Sequence, residues 1–374
     1  MKIRKPDYYD RFQCIAGACK DSCCIGWEID VDDEKRQMYR NVDGELGEQL
    51  KKCIDWEEGY FILQGKEERC PFLNSENLCD LIIGLGEESL CDICREHPRY
   101  YEWYDGLTEK GVGLCCEAAA RLILESEEKV RFVECVEGDN LAEDDTLDVL
   151  FSARDTAFAI LQNREKSIWY RLKEFLAYIE ELQEGLDFEN LDEIEESSNY
   201  YRNVVMAEPE EIASLSAEEE SAAHEEKISV YRELLDMCRK LEPIDESWPK
   251  RLEKIEGCLA DDISYKEAED KMLAAAKDRE YEYEHLAVYF VYRYCMKCRT
   301  SGDVYSYGCL TVFCILLIRL LDVVKFMENG ELTKEDRAVN AKDCSKEIEY
   351  SEENLEILAN EFWERGWAGV AACL

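Results

Sequence analysis

The stretch from Phe12 to Trp27, FQCIAGACKDSCCIGW, constrains this chain more than any other, because it packs Cys14, Cys19, Cys23 and Cys24 into eleven residues. Four thiols at that density specify a metal site or disulfides. The chain opens MKIRKPDYYD, charged and without an apolar run, so no secretory leader is expected. The expected setting is the cytoplasm, whose reductants keep thiols reduced. The adjacent pair Cys23-Cys24 would also close a strained ring if oxidised. Metal binding is therefore favoured over disulfides and over reduced core cysteines.

Three further groups follow: Cys70 with Cys79, Cys91-Asp-Ile-Cys94, and Cys115-Cys116. Together they bring the thiols to ten, more than one tetrahedral site can use, so either two sites exist or one is filled and the rest pack as small hydrophobes. Zinc suits paired C-x2-C knuckles, and this segment has a clear one only at Cys91 and Cys94. The spacing C-x4-C-x3-C-C suits a cluster held in a loop, which favours iron-sulphur over zinc. The remaining cysteines read as filler, including Cys295-Met-Lys-Cys298, which lies in a helical aromatic run. Of three histidines only His97 is beside the thiols, either as a turn residue before Pro98 or as part of a polar wall with Arg95, Arg99, Tyr100 and Tyr101. No Gly-rich phosphate loop is present.

Composition narrows the partners. Asp+Glu 86 against Lys+Arg 45 gives a net charge of -41, which repels phosphate backbones and argues against nucleic acid. The same field would draw in a lysine-rich protein, although acidic surfaces more commonly serve solubility. The longest apolar run, Leu310 to Ile318, is too short to cross a bilayer and is expected as a buried helix, so no membrane association is expected.

The expected fold is mainly α: an irregular cysteine-rich N-terminal metal-binding domain with short strands, then an α-helical bundle domain. Residues 1–135 form the metal domain, broken by many glycines, with short strands expected at Glu28 to Asp32 and Gly59 to Gln64 and helices at Glu87 to Glu96 and Cys116 to Val130. Residues 136–184 carry two amphipathic helices, residues 185–225 read as a mobile or loosely helical acidic linker, and residues 226–374 form a C-terminal helical domain. Thr333 and Asp336 match a capping box, and a last helix is expected from Ser351 to Arg365 with Gly366 as its C-cap.

Taken in order, CIAGACKDSCCIGW, RCPFLNSENLCDL, LGEESLCDICREHPR, GLCCEAAARLIL and KEIEYSEENLE resemble the flagellin lysine-N-methylase family, whose front portion belongs to a wider group of zinc- or iron-chelating cysteine-cluster proteins. The likeness is densest in residues 8–125 and 284–361. It implies a cytoplasmic enzyme that moves methyl groups from S-adenosylmethionine to lysines of flagellin and carries a 4Fe-4S cluster, with zinc as the alternative. On the match, the cluster cysteines are Cys14, Cys19, Cys23, Cys24, Cys70, Cys79, Cys91, Cys94 and Cys116, the last chosen over Cys115 because it lies five residues before Arg121. Lysine must lose a proton before it attacks a methyl group, so tyrosines and acids are wanted. Tyr100, Tyr101, Glu349, Tyr350 and Glu353 are the candidates, the last three within the IEYSEENLE match, where acids also suit a helix start. The competing reading is a non-catalytic zinc- or iron-chelating protein with a helical interaction domain.

Overall fold

The computed structural model describes residues 2–20, 22–26, 28–66, 68–136, 145–210, 217–367, 369–370 and 374. Its front third alternates strands and short helices: β1 (Lys2–Pro6), α1 (Asp33–Arg40), α2 (Gly44–Cys53), β2 (Ile54–Asp55), β3 (Tyr60–Phe61), α3 (Asp80–Leu85), α4 (Asp92–Glu96), β4 (Arg99–Tyr104), β5 (Leu107–Val112), α5 (Glu117–Glu125) and β6 (Phe132–Val136). The rest is helical: α6 (Asp145–Leu161), α7 (Ile168–Asp187), α8 (Leu191–Asn203), α9 (Ala217–Cys238), α10 (Trp248–Leu259), α11 (Asp262–Ala275), α12 (Glu280–Tyr294), α13 (Cys298–Ser301), α14 (Val304–Asn329), α15 (Lys334–Glu349) and α16 (Glu352–Arg365). The fold is thus mainly helical behind a small mixed sheet, as the sequence indicated.

That sheet has the order β4-β5-β1-β6, with β1 parallel to β5 and the outer pairs antiparallel. The expected strand at Glu28 to Asp32 makes only a single bridge, Asp30 to Tyr60, and of Gly59 to Gln64 only Tyr60 and Phe61 form a strand, paired with Ile54 and Asp55, while Gln64 makes an isolated bridge to Arg69. The expected helix at Glu87 to Glu96 is a 3-10 turn followed by α4, and the one at Cys116 to Val130 ends at Glu125. Residues 185–225, expected as a linker, include α8, which buries Ile194, Ser198 and Tyr201 against α6 and α7. Apolar residues at helical spacing outweigh the acidic composition there.

Two apolar cores organise these elements, and they divide the chain differently from its composition. A small one takes Ile29, Tyr39, Leu50, Phe61, Phe72, Leu81 and their neighbours, all between residues 29 and 94. The larger runs from Tyr8 and Phe12 through α5 to Val370 and has α14 at its centre. Asp303 opens α14 by accepting the Ser306 N–H at 2.8 Å, and Gly330 closes it with φ 76°. Gly308 lets α7 approach, since a Cβ there would stand 2.5 Å from Ile179. Among the described residues no helix is long and apolar enough to cross a membrane. The capping box at Thr333 and Asp336 and the αL cap at Gly366 are both present.

Buried charges inside the larger core are paired, as their desolvation requires. Arg337 binds Asp322 at 2.8 Å and Glu282 at 2.7 Å, and Arg171 reaches Glu284 at 2.7 Å. Arg154 of α6 grips Glu109 of β5 through both carboxylate oxygens, with side chains 0% and 1% exposed, and so ties the sheet to the bundle. Replacing Arg154 by Met leaves the Glu109 charge buried alone. The expected loss is about 3–5 kcal/mol, read from urea unfolding.

A buried carboxylate also straps the loop between α9 and α10. Glu347 accepts the N–H groups of Ile244 and Asp245 at 2.9 and 2.8 Å. Burial, with the nearby Asp245 charge adding to it, pushes Glu347 up to about 7. A carboxyl whose folded pKa is raised favours folding when protonated, so its contribution is complete at low pH and is lost as pH rises through about 7. Denaturant titrations across this range should therefore show wild type losing stability as pH rises, and Glu347→Gln losing less.

Candidate thiol cavity and its buried support

The cysteine segments meet at one cavity of about 310 Å³ on the seam between the two cores. Its walls carry Cys14, Cys19, Cys23, Cys24, Cys70, Cys79, Cys94, Cys115 and Cys116. Lys346 and Tyr350, four residues apart near the end of α15, complete it from the helical side. Cys91 lies just behind, buried in the small core and hydrogen-bonded to Cys94. The structure therefore gathers eight of the nine expected thiols at the cavity and places the ninth against one of them. Cys115 lines it as well as Cys116. Cys295 and Cys298 are buried in the larger core instead.

Local chemistry explains how each loop is held. In the first, Cys14 Sγ accepts the Ala16 N–H at 3.4 Å, the Cys24 carbonyl accepts from Cys70 N at 2.8 Å, and Ile25 bridges to Arg69. Glu117, at the start of α5, accepts from the Lys20 N–H at 2.9 Å and the Cys19 thiol at 3.5 Å. The Cys70 to Cys79 loop is tied by Asn74, whose Oδ1 takes two N–H groups while Arg69 holds its carbonyl at 2.6 Å. Asp32 caps α1 through Lys35 N and reaches Asp92 N at 3.0 Å, which anchors α4 and hence Cys94.

Thiol acidity is divided unequally. The Cys23 thiol donates to Cys24 and holds Cys24 down to about 7 against the opposing effect of burial, and the same arrangement lowers Cys91 beside Cys94. Burial pushes Cys70 and Cys115 up to about 12, the Glu349 charge adding to the second. Burial also lowers His97, another wall residue, to about 4, so its imidazole is neutral at pH 7. Among the described residues, no three His, Cys, Asp or Glu side chains are close enough to share a single metal ion.

Behind Cys115 lies a buried polar layer. Glu349, its side chain 1% exposed, pairs with Arg293 at 2.8 Å and accepts from the Tyr289 and Tyr294 hydroxyls at 2.9 Å and from Ser345. The Tyr289 oxygen also accepts the Leu114 N–H at 3.0 Å, which fixes the turn carrying Cys115 and Cys116. Arg293 sits over the Tyr100 ring at 4.3 Å, and a side chain at Gly111 would collide with that ring.

The five candidate catalytic residues are thus spread over three places. Tyr350 is at the cavity and hydrogen-bonds Cys115. Glu349 and Tyr100 belong to the buried layer. Tyr101, the next residue on β4, points to the opposite face, where its hydroxyl donates to Glu96 at 2.5 Å. Glu353 is exposed in the first turn of α16. Sequence reasoning missed Arg293, Tyr289, Tyr294, Ser345 and Lys346. The available signal was an arginine inside the aromatic run EHLAVYFVYRYC, which calls for a buried acid.

The family described as the FliB lysine N-methylase C-terminal domain matches residues 154–374, more than half of the chain. The chain belongs to the FliB lysine N-methylase family. Lysine-N-methylases of Salmonella typhimurium strain LT2 and Salmonella choleraesuis strain SC-B67 are 28% and 27% identical over 133 residues, 33% of this chain and 33% of each relative. The chain therefore aligns with about a third of the length of those relatives. The flagellar biosynthetic protein FliU of Salmonella muenchen is 27% identical over 133 residues, 33% of this chain and 78% of that protein. No solved structure matches. Within this family chain, the matched region supplies Arg293, Glu349, Lys346 and Tyr350, whereas all the cavity thiols precede it.

Removing the buried carboxylate tests the layer. Glu349→Ala leaves Arg293 buried without its acid and should cost about 3–5 kcal/mol in chemical unfolding. Glu349→Gln, which keeps an acceptor oxygen, should cost less.

Proposed function

We propose that this chain is an S-adenosylmethionine-dependent methyltransferase acting on lysine side chains of flagellin, with an iron-sulphur cluster in the thiol cavity. Membership of the FliB lysine N-methylase family carries the reading. It is supported by the meeting, at one cavity, of the cysteine loops with Lys346 and Tyr350 from the matched region.

The donor set fits a cluster in kind, and it contains more thiols than the four that one cluster takes. Four sulfurs around one tetrahedral ion, each at about 2.3 Å, stand only about 3.8 Å apart. Among the described residues no three such side chains are grouped closely enough for a single ion, while the cavity is lined by more than the four thiols that a multi-iron cluster takes. Four of Cys14, Cys19, Cys23, Cys24, Cys70, Cys79, Cys94 and Cys116 would hold it, with Cys91 behind. When bound, such a cluster supplies iron that accepts nitrogen or oxygen ligands and exchanges single electrons. Reduced thiols of this kind suit the cytoplasm.

The chain's own residues prepare the amine. Methyl transfer needs lysine in its neutral form, and a cavity walled by Phe12, Ile15, Phe61, Leu73 and Leu90 disfavours an ammonium ion. Tyr350 offers a hydroxyl at the same wall, while neutral His97 adds no repelling charge. Glu349 has its oxygens occupied by Arg293, Tyr289, Tyr294 and Ser345, so it acts as a positioning residue that sets Cys115 through Tyr289 and Leu114.

Anaerobically purified protein incubated with S-adenosylmethionine and flagellin should add methyl groups to flagellin lysines by mass spectrometry. Unmodified flagellin with a fully iron-loaded protein would sink methyl transfer. The same preparation should show a broad brown absorbance, which exchange of Cys23 and Cys24 for Ser should abolish together with the bound iron.

A further inference from the structure

In a chain with Asp+Glu 86, most guanidinium groups find an acid or a carbonyl, and one that does not lines the cavity. Among the described arginines that are buried or half-buried, Arg99 alone has no hydrogen bond or ion pair from its guanidinium. It is held by its flat faces, with Phe12 at 5.0 Å and Tyr9 at 6.0 Å from the guanidinium carbon. Its backbone is fixed as the first residue of β4, in register with Val112. Stacking of this kind orients the planar fork and leaves its N–H groups unspent.

The Arg99 charge is felt by Glu96, yet no hydrogen bond or ion pair joins the two, and the surroundings make those unspent N–H groups more telling. Three cations, Arg95, Arg99 and Lys346, line the cavity against one carboxylate, Glu87. Arg95 is already engaged by Asp92 at 2.5 Å and Glu96 at 3.2 Å. Arg99 therefore remains as a preorganised, bidentate donor toward an anionic group inside the cavity.

We infer that Arg99 is the receptor for the α-carboxylate of the amino-acid moiety of the methyl donor. This rests on the methyltransferase reading and extends it by naming the group that orients the donor. A carboxylate is the planar partner that matches a guanidinium fork, a bidentate geometry that the Lys346 ammonium at the same wall, a point charge, does not offer.

Two ligands sharing a nucleoside separate the possibilities: S-adenosylhomocysteine, which carries the amino-acid moiety, and 5′-methylthioadenosine, which lacks it. Calorimetric titration of the anaerobically purified full chain should show wild type preferring S-adenosylhomocysteine. Arg99→Gln should weaken that ligand about 10- to 100-fold while leaving methylthioadenosine within twofold, and Arg99→Lys, with its charge but no fork, should fall between. Unchanged S-adenosylhomocysteine affinity in Arg99→Gln overturns the assignment. Parallel loss of both ligands, with lowered iron content or Tm, also overturns it and makes Arg99 a structural stacking residue. A wild type that binds neither ligand overturns the methyltransferase reading itself, a result distinct from the first two.

Discussion

The Glu349 carboxylate is the constraint on which the cavity depends. A charge that deep is tolerated only when its oxygens are occupied, and Arg293, Tyr289, Tyr294 and Ser345 occupy them. Those partners sit on α12 and α15, so one ion pair locks two helices of the larger core together. Tyr289 then passes the constraint outward by accepting the Leu114 N–H, which places Cys115 and Cys116. The same helix α15 carries Lys346 and Tyr350 to the opposite side of the wall. Moving Glu349 would shift both sides of the cavity at once.

The position of the cavity follows from having two cores rather than one. Residues 29–94 close a small core of their own, and the loop from Phe12 to Ile25 bridges it to the larger one. A seam is where close packing is interrupted, and polar or reactive groups placed there cost less than within either interior. Each thiol loop is fixed by backbone hydrogen bonds and by single acids such as Glu117 and Asp32, with little apolar area of its own. A ligand gripping several loops would therefore add directly to the stability of the front of the chain.

What could be read from the sequence was what is decided locally. The periods of LDVLFSARDTAFAIL and SIWYRLKEFLAYIEEL gave α6 and α7, and the Thr333-Asp336 capping box gave the start of α15. Thiol spacing identified the set that converges on the cavity, because the four clusters are dense in the chain before they are dense in space. The strands were harder. KIRKP and LTEKGV are charged, yet Arg4 and Glu109 are buried because each finds a partner far along the chain, Asp155 and Arg154. Strand alternation also sent the adjacent Tyr100 and Tyr101 to different faces, a separation that a list of candidates by type cannot register. The pairing of Arg293 with Glu349 is similarly invisible, since it spans the chain between α12 and α15 and carries no local motif.

The charge distribution unites these features under the proposed reading. The exterior of a chain with net charge -41 draws lysine side chains in their ammonium form and raises the encounter rate. The cavity has the opposite balance, with Arg95, Arg99 and Lys346 against Glu87, and its apolar walls reinforce the effect. A lysine entering it passes from a field that favours its proton to one that disfavours it. Attraction and deprotonation are thus assigned to different parts of the surface, which removes the need for a strong general base at the wall. Among the described residues, Glu87 is the one carboxylate that lines the cavity.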